Sequence, residues 1–384
     1  MASHPRLPLD LTDQVILHSE PKALATCALV CRDWLPSSQR RLFSKLRIDE
    51  HNCAEIVGYL TSATPNLSNY VKHLYVFLWG DIRSNYSRTT ANKSPLLPLL
   101  LPHISRFTNV KTLEFDGCRA FLNEHWDVTW TDLLAEALGP FIDQLTISYL
   151  TFEDLPDLVD LVSSFPQLTY LTANDLDIAE ASHEYSNEDQ EPYEGSKVPP
   201  PLLENLKYTS ASSFGSGLGP FLSWLAAGPQ VFNTLYLDLD AEAGDVNAGV
   251  DLIRAAGDNL TALFLAFDDQ WSLWEGFEFS VNPNLRSLTL RRASDLGNSL
   301  VEILGSLKSV EHLSLGGVDE MDRDVWPGLV DVLTSPSFTS LVQVKFYVSS
   351  EDGLKDLASE IFEEYPDFFG KGITVFALKR HHEW

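Results

Sequence analysis

A short phrase of two apolar residues separated by one residue recurs along most of this chain and constrains its fold more than any other feature. It occurs within ten strand-like runs, at 73–78, 112–115, 144–147, 170–173, 205–208, 234–239, 262–267, 287–290, 312–315 and 343–346. The first apolar residues of the runs lie at 74, 113, 145, 171, 206, 235, 263, 288, 313 and 344, so successive runs are 25 to 39 residues apart. A period of this length predicts a repeat fold, in which each unit buries its apolar face against its neighbours.

Segments with helical spacing of apolar residues lie between these runs. In the last of them, Leu354, Leu357, Ala358 and Ile361 recur at steps of three and four, which gives one apolar stripe. Alternating strands and helices predict an α/β fold, an irregular leucine-rich-repeat solenoid of about ten units with parallel strands on its concave face. Examples of these predicted helical segments are 131–141, 153–165, 219–227, 299–307 and 352–362.

The largest interruption of the repeats is an acidic segment. Residues 178–201 contain few apolar side chains, six acids before their first lysine, and three prolines at their end. Because such a composition does not offset the entropy lost on ordering, we expect a disordered insertion at 179–201. An electrostatic arm that binds a basic ligand is the alternative.

The charge of the chain is strongly negative and unevenly distributed. Of 27 basic and 54 acidic residues, which give −27 in total, residues 1–48 carry seven basic and four acidic ones. The net charge is therefore +3 in this segment and −30 in the rest. Such a field repels polyanions, so we expect no nucleic-acid partner and no membrane partner, and a basic or neutral protein fits better. The alternative is that the acidity only provides solubility.

Four cysteines in a chain of 384 residues do not make a disulfide framework. Cys27 and Cys31 lie one helical turn apart, but no second pair follows at zinc-site spacing, so we expect no metal and no cofactor. The N-terminal residues lack the apolar region of a signal peptide, and Pro98 and Pro102 interrupt the richest apolar run. A soluble protein of the cytoplasm or nucleus is expected.

Residues 5–48 follow a different pattern, which predicts a short helical module. Pro21 suits the first turn of a helix, and Pro36 is expected to end the run that follows. Leu29 and Val30 extend the apolar stripe of this helix beyond what a half-buried surface helix needs. A helix that is apolar on nearly all sides must pack against its own domain on one side and against a second surface on the other. The stripe consists of Leu24, Cys27, Ala28, Cys31, Trp34 and Leu35.

The module resembles an F-box. The resemblance is carried by Leu7-Pro8, Val15-Ile16, the run from Ala28 to Trp34, Leu42-Phe43 and Leu46. It implies docking on the Skp adaptor of SCF (Skp–cullin–F-box) ubiquitin ligases and, through the adaptor, on cullin. The domains are then the F-box-like module at 1–48 and the repeats at 49–384, which resemble the substrate-binding half of F-box/leucine-rich-repeat proteins. The implied adaptor-binding residues are Leu7, Pro8, Ile16, Leu24, Val30, Cys31 and Trp34. The alternative is a helical cap that only shields the first repeat.

Residues between the core leucines of each strand point away from the core, so they predict a partner-binding surface. Aromatic side chains flanked by charges suit such a surface. The predicted substrate-binding residues are Tyr75, Tyr236, Asp238, Phe264, Asp268, Arg291, Lys345 and Tyr347.

Common catalytic motifs are missing from the sequence: it contains no G-x-S-x-G elbow, no H-E-x-x-H and no P-loop. We therefore expect no enzyme, but a substrate-recognition subunit of an SCF-type ubiquitin ligase that binds an unknown target protein. The alternatives are a non-ligase leucine-rich-repeat scaffold or interaction module, and an enzyme built on insertions between the repeats.

Overall fold

The computed structural model describes most of the chain in two compact units. The first unit comprises Met1–Thr151 and Asp160–Leu168, and the second comprises Phe152–Val159 and Thr169–Trp384. The described residues are 9–30, 33–62, 67–78, 96–117, 126, 128–178, 197–210, 218–229, 231–239, 243–267, 279–338, 340–348, 355, 359, 363–365 and 374–378.

The first unit begins with three short helices, which we call the head. Helix α1 spans Leu9–Leu17, α2 spans Pro21–Val30 and α3 spans Leu35–Leu42. Pro21 begins α2 as predicted. Pro36, which was expected to end a helix, instead lies in the first turn of α3. A proline is tolerated there because the amide it lacks would have no partner within the helix.

Parallel strands follow the head in the first unit. The strands β1 (Lys45–Ile48), β2 (His73–Phe77), β3 (Thr112–Asp116) and β4 (Gln144–Ser148) pair in this order. Strand β1 lies inside the range predicted for the head, yet it pairs with β2 in the sheet. The helices of this unit beyond the head are α4 (Cys53–Thr61), α5 (Leu96–Leu100) and α6 (Val128–Leu138).

The second unit contains eight parallel strands among its described residues. They pair in the order β6, β8, β9, β10, β11, β12, β13, β14. Their bounds are β6 Tyr170–Asn174, β8 Asn205–Thr209, β9 Thr234–Leu239, β10 Ala262–Phe267, β11 Ser287–Leu290, β12 His312–Gly316, β13 Gln343–Val348 and β14 Thr374–Leu378. Two further strands, β5 (Thr151–Phe152) and β7 (Asp177–Ile178), have two residues each. The helices of the second unit are α8 (Gly219–Ala226), α9 (Ala243–Ala256), α10 (Ser299–Gly305) and α11 (Trp326–Thr334), and α7 (Leu155–Ser163) has residues in both units.

The first apolar residue of each repeated phrase forms a row of buried side chains in register. In the second unit, each member of the row is at most 2% exposed. Burial of one such side chain contributes about 1.5–3 kcal/mol. The row fixes the register of the strands, because a shift by one residue would turn every leucine away from the core. Its members are Leu171, Leu206, Leu235, Leu263, Leu288, Leu313 and Val344.

Asparagine side chains connect turns that are distant in sequence. The side chain of Asn282, 2% exposed, donates hydrogen bonds of 3.0 Å to the carbonyls of Ile253 and Gly257. Asn284 donates in the same way to the carbonyl of Asp258, at 2.8 Å. Because an unpaired buried carbonyl is costly, these bonds hold the end of α9 against the turn before β11.

The mixed α/β class and the parallel arrangement of strands within each unit are confirmed. Each of the ten predicted strand runs is a strand, and four of the five predicted helical segments coincide with α6, α7, α8 and α10 to within a few residues. Most of the fifth segment, 352–362, lies outside the described residues, as do residues 179–196 of the predicted acidic insertion. The strand runs and helical segments named from the sequence did not include β1, β5, β7, β14, α4, α5, α9 or α11.

Candidate functional site

Two surfaces of the chain fit the predicted interaction sites, and the first is on the head. The interior of the head is formed by Ile16 of α1 and Leu24 of α2, each 2% exposed. Helix α3 packs against both other helices, and the Ser37 hydroxyl donates a hydrogen bond to the Asp13 carboxylate. The short helices are therefore held together by a small apolar core and one polar link between α1 and α3.

Several large apolar side chains of the head face solvent. Leu29 is 86% exposed and Val30 is 59% exposed, both at the end of α2. Leu11 and Val15 are four residues apart, so they lie on one side of α1. A helical module of this size gains stability by burying such residues, and their exposure makes this surface a candidate for partner binding. We call the six exposed residues the head surface: Leu11, Val15, Leu17, Leu29, Val30 and Leu35.

The structure divides the predicted adaptor-binding residues into three groups. Val30 belongs to the head surface, and Trp34 is half-buried. Ile16 and Leu24 lie in the interior of the head, where they support the exposed residues. Leu7, Pro8 and Cys31 lie outside the described residues. Their role in adaptor binding stays a prediction.

The second surface lies on the strands of the second unit. Along β9 the residues alternate between half-buried and buried, so Tyr236 and Asp238 share the side away from the leucine row. Tyr236 is directly beside Phe264 of β10 in the parallel register. Their rings stack 3.9 Å apart with an interplanar angle of 2°. On the other side, the Lys207 ammonium group lies 4.8 Å from the centre of the Tyr236 ring. A cation and two aromatic rings thus form one stack across three strands.

An ion pair borders this stack. The Arg291 guanidinium donates a hydrogen bond of 2.9 Å to the Asp238 carboxylate, and their side chains are 34% and 25% exposed. The two residues meet across β10, where Asp238 is aligned with the small side chain of Ala266. Burial and, to a smaller extent, the Asp238 carboxylate raise the pKa of Tyr236, the Arg291 charge opposes them, and the resulting pKa is about 12. The phenol therefore stays a neutral hydrogen-bonding group at physiological pH.

The other predicted substrate-binding residues are spread over the sheets. Lys345 and Tyr347 are half-buried on β13, which lies three strands from β10. Tyr75 belongs to β2 in the first unit. Asp268 lies outside the described residues. The structure thus brings together Tyr236, Phe264, Asp238 and Arg291, and it adds Lys207, which was not among the predicted substrate-binding residues.

The strands of the first unit carry a separate polar cluster. The Arg47 guanidinium lies 3.8 Å from the centre of the Phe77 ring. Burial raises the pKa of Glu114, and the nearby Asp116 carboxylate adds to the shift. Burial also raises the pKa of Asp116, although the Arg47 charge lowers it. Two carboxylates held partly out of water beside an arginine suit a polar contact with a partner protein.

Among the described residues, no three histidine, cysteine, aspartate or glutamate side chains come close enough together to hold a metal ion. In the same part of the chain, no helix is long and apolar enough to cross a membrane. No protein-family model matches the chain, and no curated protein is significantly similar to it.

Proposed function

We propose that this chain is the substrate-recognition subunit of an SCF-type ubiquitin ligase. In this proposal the head binds the Skp adaptor, and the strands bind a target protein. The head surface carries the proposal, because Leu29 is almost fully exposed at the end of a helix whose other side already packs within the head. Burial of such side chains in a partner contributes about 1.5–3 kcal/mol each, so a few of them supply the core of an interface.

The proposed target-binding surface is the strand side of a leucine-rich-repeat solenoid. The buried leucine row and the parallel pairing within each unit support this architecture. Aromatic and charged side chains on the opposite side of the strands support binding of a protein surface. The chain needs no nucleophile for this role, because a receptor acts by raising the local concentration of its target near an enzyme elsewhere in the complex. Such ligases act in the cytoplasm and nucleus.

A second candidate, a scaffold whose head only caps the strands, is favoured by the link between α3 and β1. The carbonyl of Ser44 accepts hydrogen bonds from the amides of Lys72 and His73, at 2.8 and 3.0 Å. The head therefore continues directly into the sheet of the first unit. A cap needs this continuity, but it does not need exposed leucine and valine residues.

Calorimetric binding of a purified Skp adaptor to the full chain separates the two candidates. Leu29→Asp changes an exposed residue, so folding is preserved, but it places a carboxylate where the interface requires an apolar group. We expect affinity to fall about 100-fold, the equivalent of about 2.8 kcal/mol. Leu133→Asp on α6 is the matched control, because Leu133 is also exposed, at 43%, and lies outside the head. Equal affinity of the parent and Leu29→Asp, or no adaptor binding by the parent, contradicts the proposal.

A further inference from the structure

The sheet edge at which the strands of the first unit begin is positively charged, although the chain as a whole has a net charge of −27. We call the residues that lead into β1–β4 the leading edge: 40–45, 67–73, 102–112 and 139–144, all among the described residues. The leading edge contains six lysine or arginine residues and one carboxylate, Asp143, so its net charge is 6 minus 1, or +5. The six basic residues are Arg40, Arg41, Lys45, Lys72, Arg106 and Lys111.

Backbone hydrogen bonds hold three of these basic residues on neighbouring strands. The carbonyl of Ser44 accepts the amide of Lys72, and the carbonyl of Lys72 in turn accepts the amide of Lys111, each at 2.8 Å. Lys45 follows Ser44 and is aligned with His73 in the register of β1 and β2. Because neighbouring strands lie about 4.8 Å apart, the group extends over about 10 Å from β1 to β3. We call Lys45, Lys72, His73 and Lys111 the basic cluster.

The lysines of the basic cluster are exposed and have no carboxylate partner. In the part of the chain that the structure describes, no acidic side chain lies within ion-pair distance of Lys45, Lys72 or Lys111. The half-buried His73 senses their charges: burial lowers its pKa most, and the charges of Lys45 and Lys72 lower it further. The Asp143 carboxylate opposes this shift but does not reverse it. The field at His73 is therefore positive despite the nearby acid.

The rest of the first unit does not supply the missing negative charge in its undescribed segments. Those segments, at 1–8, 31–32, 63–66, 79–95, 118–125 and 127, contain six lysine or arginine residues and only three acidic ones. Their sequence therefore adds positive charge to the unit.

We propose that the basic cluster binds an acidic segment of a partner protein, in extended conformation across the first three strands. Alternate residues of an extended segment point to one side and lie about 6.6 Å apart. Acidic residues at every second position therefore match the spacing of Lys45, Lys72 and Lys111. Because these lysines are spread over about 10 Å, a row of carboxylates contacts all three, whereas one small anion does not. The inference does not rest on the proposed ligase role, since it concerns other residues than the head surface.

The total charge of the chain decides against larger polyanions. A nucleic acid or an anionic membrane extends far beyond the basic cluster and meets the field of a chain with a net charge of −27. Salt at physiological concentration screens charges beyond about 8 Å, so a short acidic segment held at the basic cluster responds mainly to the lysines there. The local charge thus favours an acidic segment, whereas the total charge by itself favours a basic or neutral partner.

Fluorescence anisotropy of labelled synthetic peptides with the full chain, at about 0.15 M salt, tests the inference. The probe alternates glutamate with serine, and the matched probes carry glutamine or lysine in place of glutamate. We expect the glutamate peptide alone to bind. The double variant Lys72→Gln/Lys111→Gln should reduce its affinity about tenfold, because two ion pairs at exposed positions are lost. Lys22→Gln/Lys308→Gln is the matched control: it removes the same charge from exposed lysines outside the basic cluster and should leave affinity unchanged.

The pKa of His73, followed by NMR, locates the bound peptide. Since the charges of Lys45 and Lys72 lower this pKa, carboxylates that pair with the two lysines should raise it. An unchanged pKa of His73 at saturating peptide overturns the inference, and so do equal binding of the glutamate and glutamine peptides and equal losses in the two double variants. Tighter binding of a single-stranded oligonucleotide or of phosphatidylserine vesicles than of the glutamate peptide also overturns it, because the basic cluster would then serve a polyanion.

Discussion

Replacing Asp238 and Arg291 separately and together measures the strength of the ion pair that borders the aromatic stack. Exposed ion pairs contribute about 0.2–1 kcal/mol to the free energy of unfolding, and the loss of one partner of a fully buried ion pair lowers it by about 3–5 kcal/mol. With side chains 34% and 25% exposed and a bond of 2.9 Å, this pair lies between these cases. We expect a coupling free energy of about 1–2 kcal/mol in a cycle of Asp238→Asn, Arg291→Gln and the double variant.

Amide hydrogen exchange of peptides covering β9 and β10 is the assay, because it reports local opening without requiring that the two units unfold together. The pair between Arg286 and Glu311 provides the control cycle. Its bond is similar, at 3.1 Å, but its side chains are 66% and 34% exposed. We expect that control coupling to stay below about 0.5 kcal/mol. If the coupling between Asp238 and Arg291 is below about 0.3 kcal/mol, or does not exceed the control, the ion pair does not organise the surface.

Three further predictions concern other contacts. In a spectroscopic pH titration, Tyr236→Phe should remove a phenol that ionises near pH 12. The pKa of Tyr236 in the folded chain is raised above its usual value of 10.0. The stability linked to this phenol is therefore complete below pH 10 and is lost as the pH rises through 12. A Tyr236 phenol that titrates near pH 10 contradicts the burial of this side chain. Asn282→Ala should lower the free energy of unfolding of the second unit by about 2 kcal/mol in urea, because it removes two hydrogen bonds from a buried side chain. Asn284→Ala, at an exposed position with one such bond, should lower it by only about 0.5 kcal/mol. Equal effects of the two substitutions would contradict the bridging role of Asn282. Glu114→Gln should stabilise the first unit by about 0.5 kcal/mol at neutral pH but not at acidic pH, because the raised pKa of Glu114 means that its stabilising contribution is lost as the pH rises through the folded value.

The sequence predicted the strands well because their pattern is local. Alternate leucines such as Leu235 and Leu237 require no knowledge of the rest of the chain to indicate a half-buried strand. Helix α11 carries an equally clear pattern in Trp326, Leu329, Val330 and Leu333, although it was not among the predicted helices. In α9, alanine, glycine and asparagine dilute the apolar stripe, so the pattern there is weaker.

Contacts within the candidate site depend on tertiary structure to different degrees. The Tyr236–Phe264 stack follows from aligning the leucine rows, because both rings occupy the same position in their strands. The Asp238–Arg291 pair does not, since Arg291 lies beyond the end of β11 and meets a residue two strands away. That contact requires a small residue between them, and nothing in the sequence around Ala266 indicates this role.

The head illustrates the limit of sequence patterns for apolar helices. Leu24 and Leu29 are both leucines of α2, yet one is 2% exposed and the other 86%. When a helix is apolar on nearly all sides, its periodicity does not show which side its own domain covers. Only the packing of α2 against α3 separates the supporting residues from the exposed ones.

Hydrogen exchange of the full chain with and without a purified Skp adaptor tests the central claim most directly. The account predicts protection of the amides of α1, α2 and α3 when the adaptor is added, strongest at the end of α2 next to Leu29. It also predicts unchanged exchange in β9 and β10, where the proposed target-binding surface lies. Binding of the adaptor without protection of the head, or no binding at all, would contradict the claim that the exposed head surface is an adaptor-docking site.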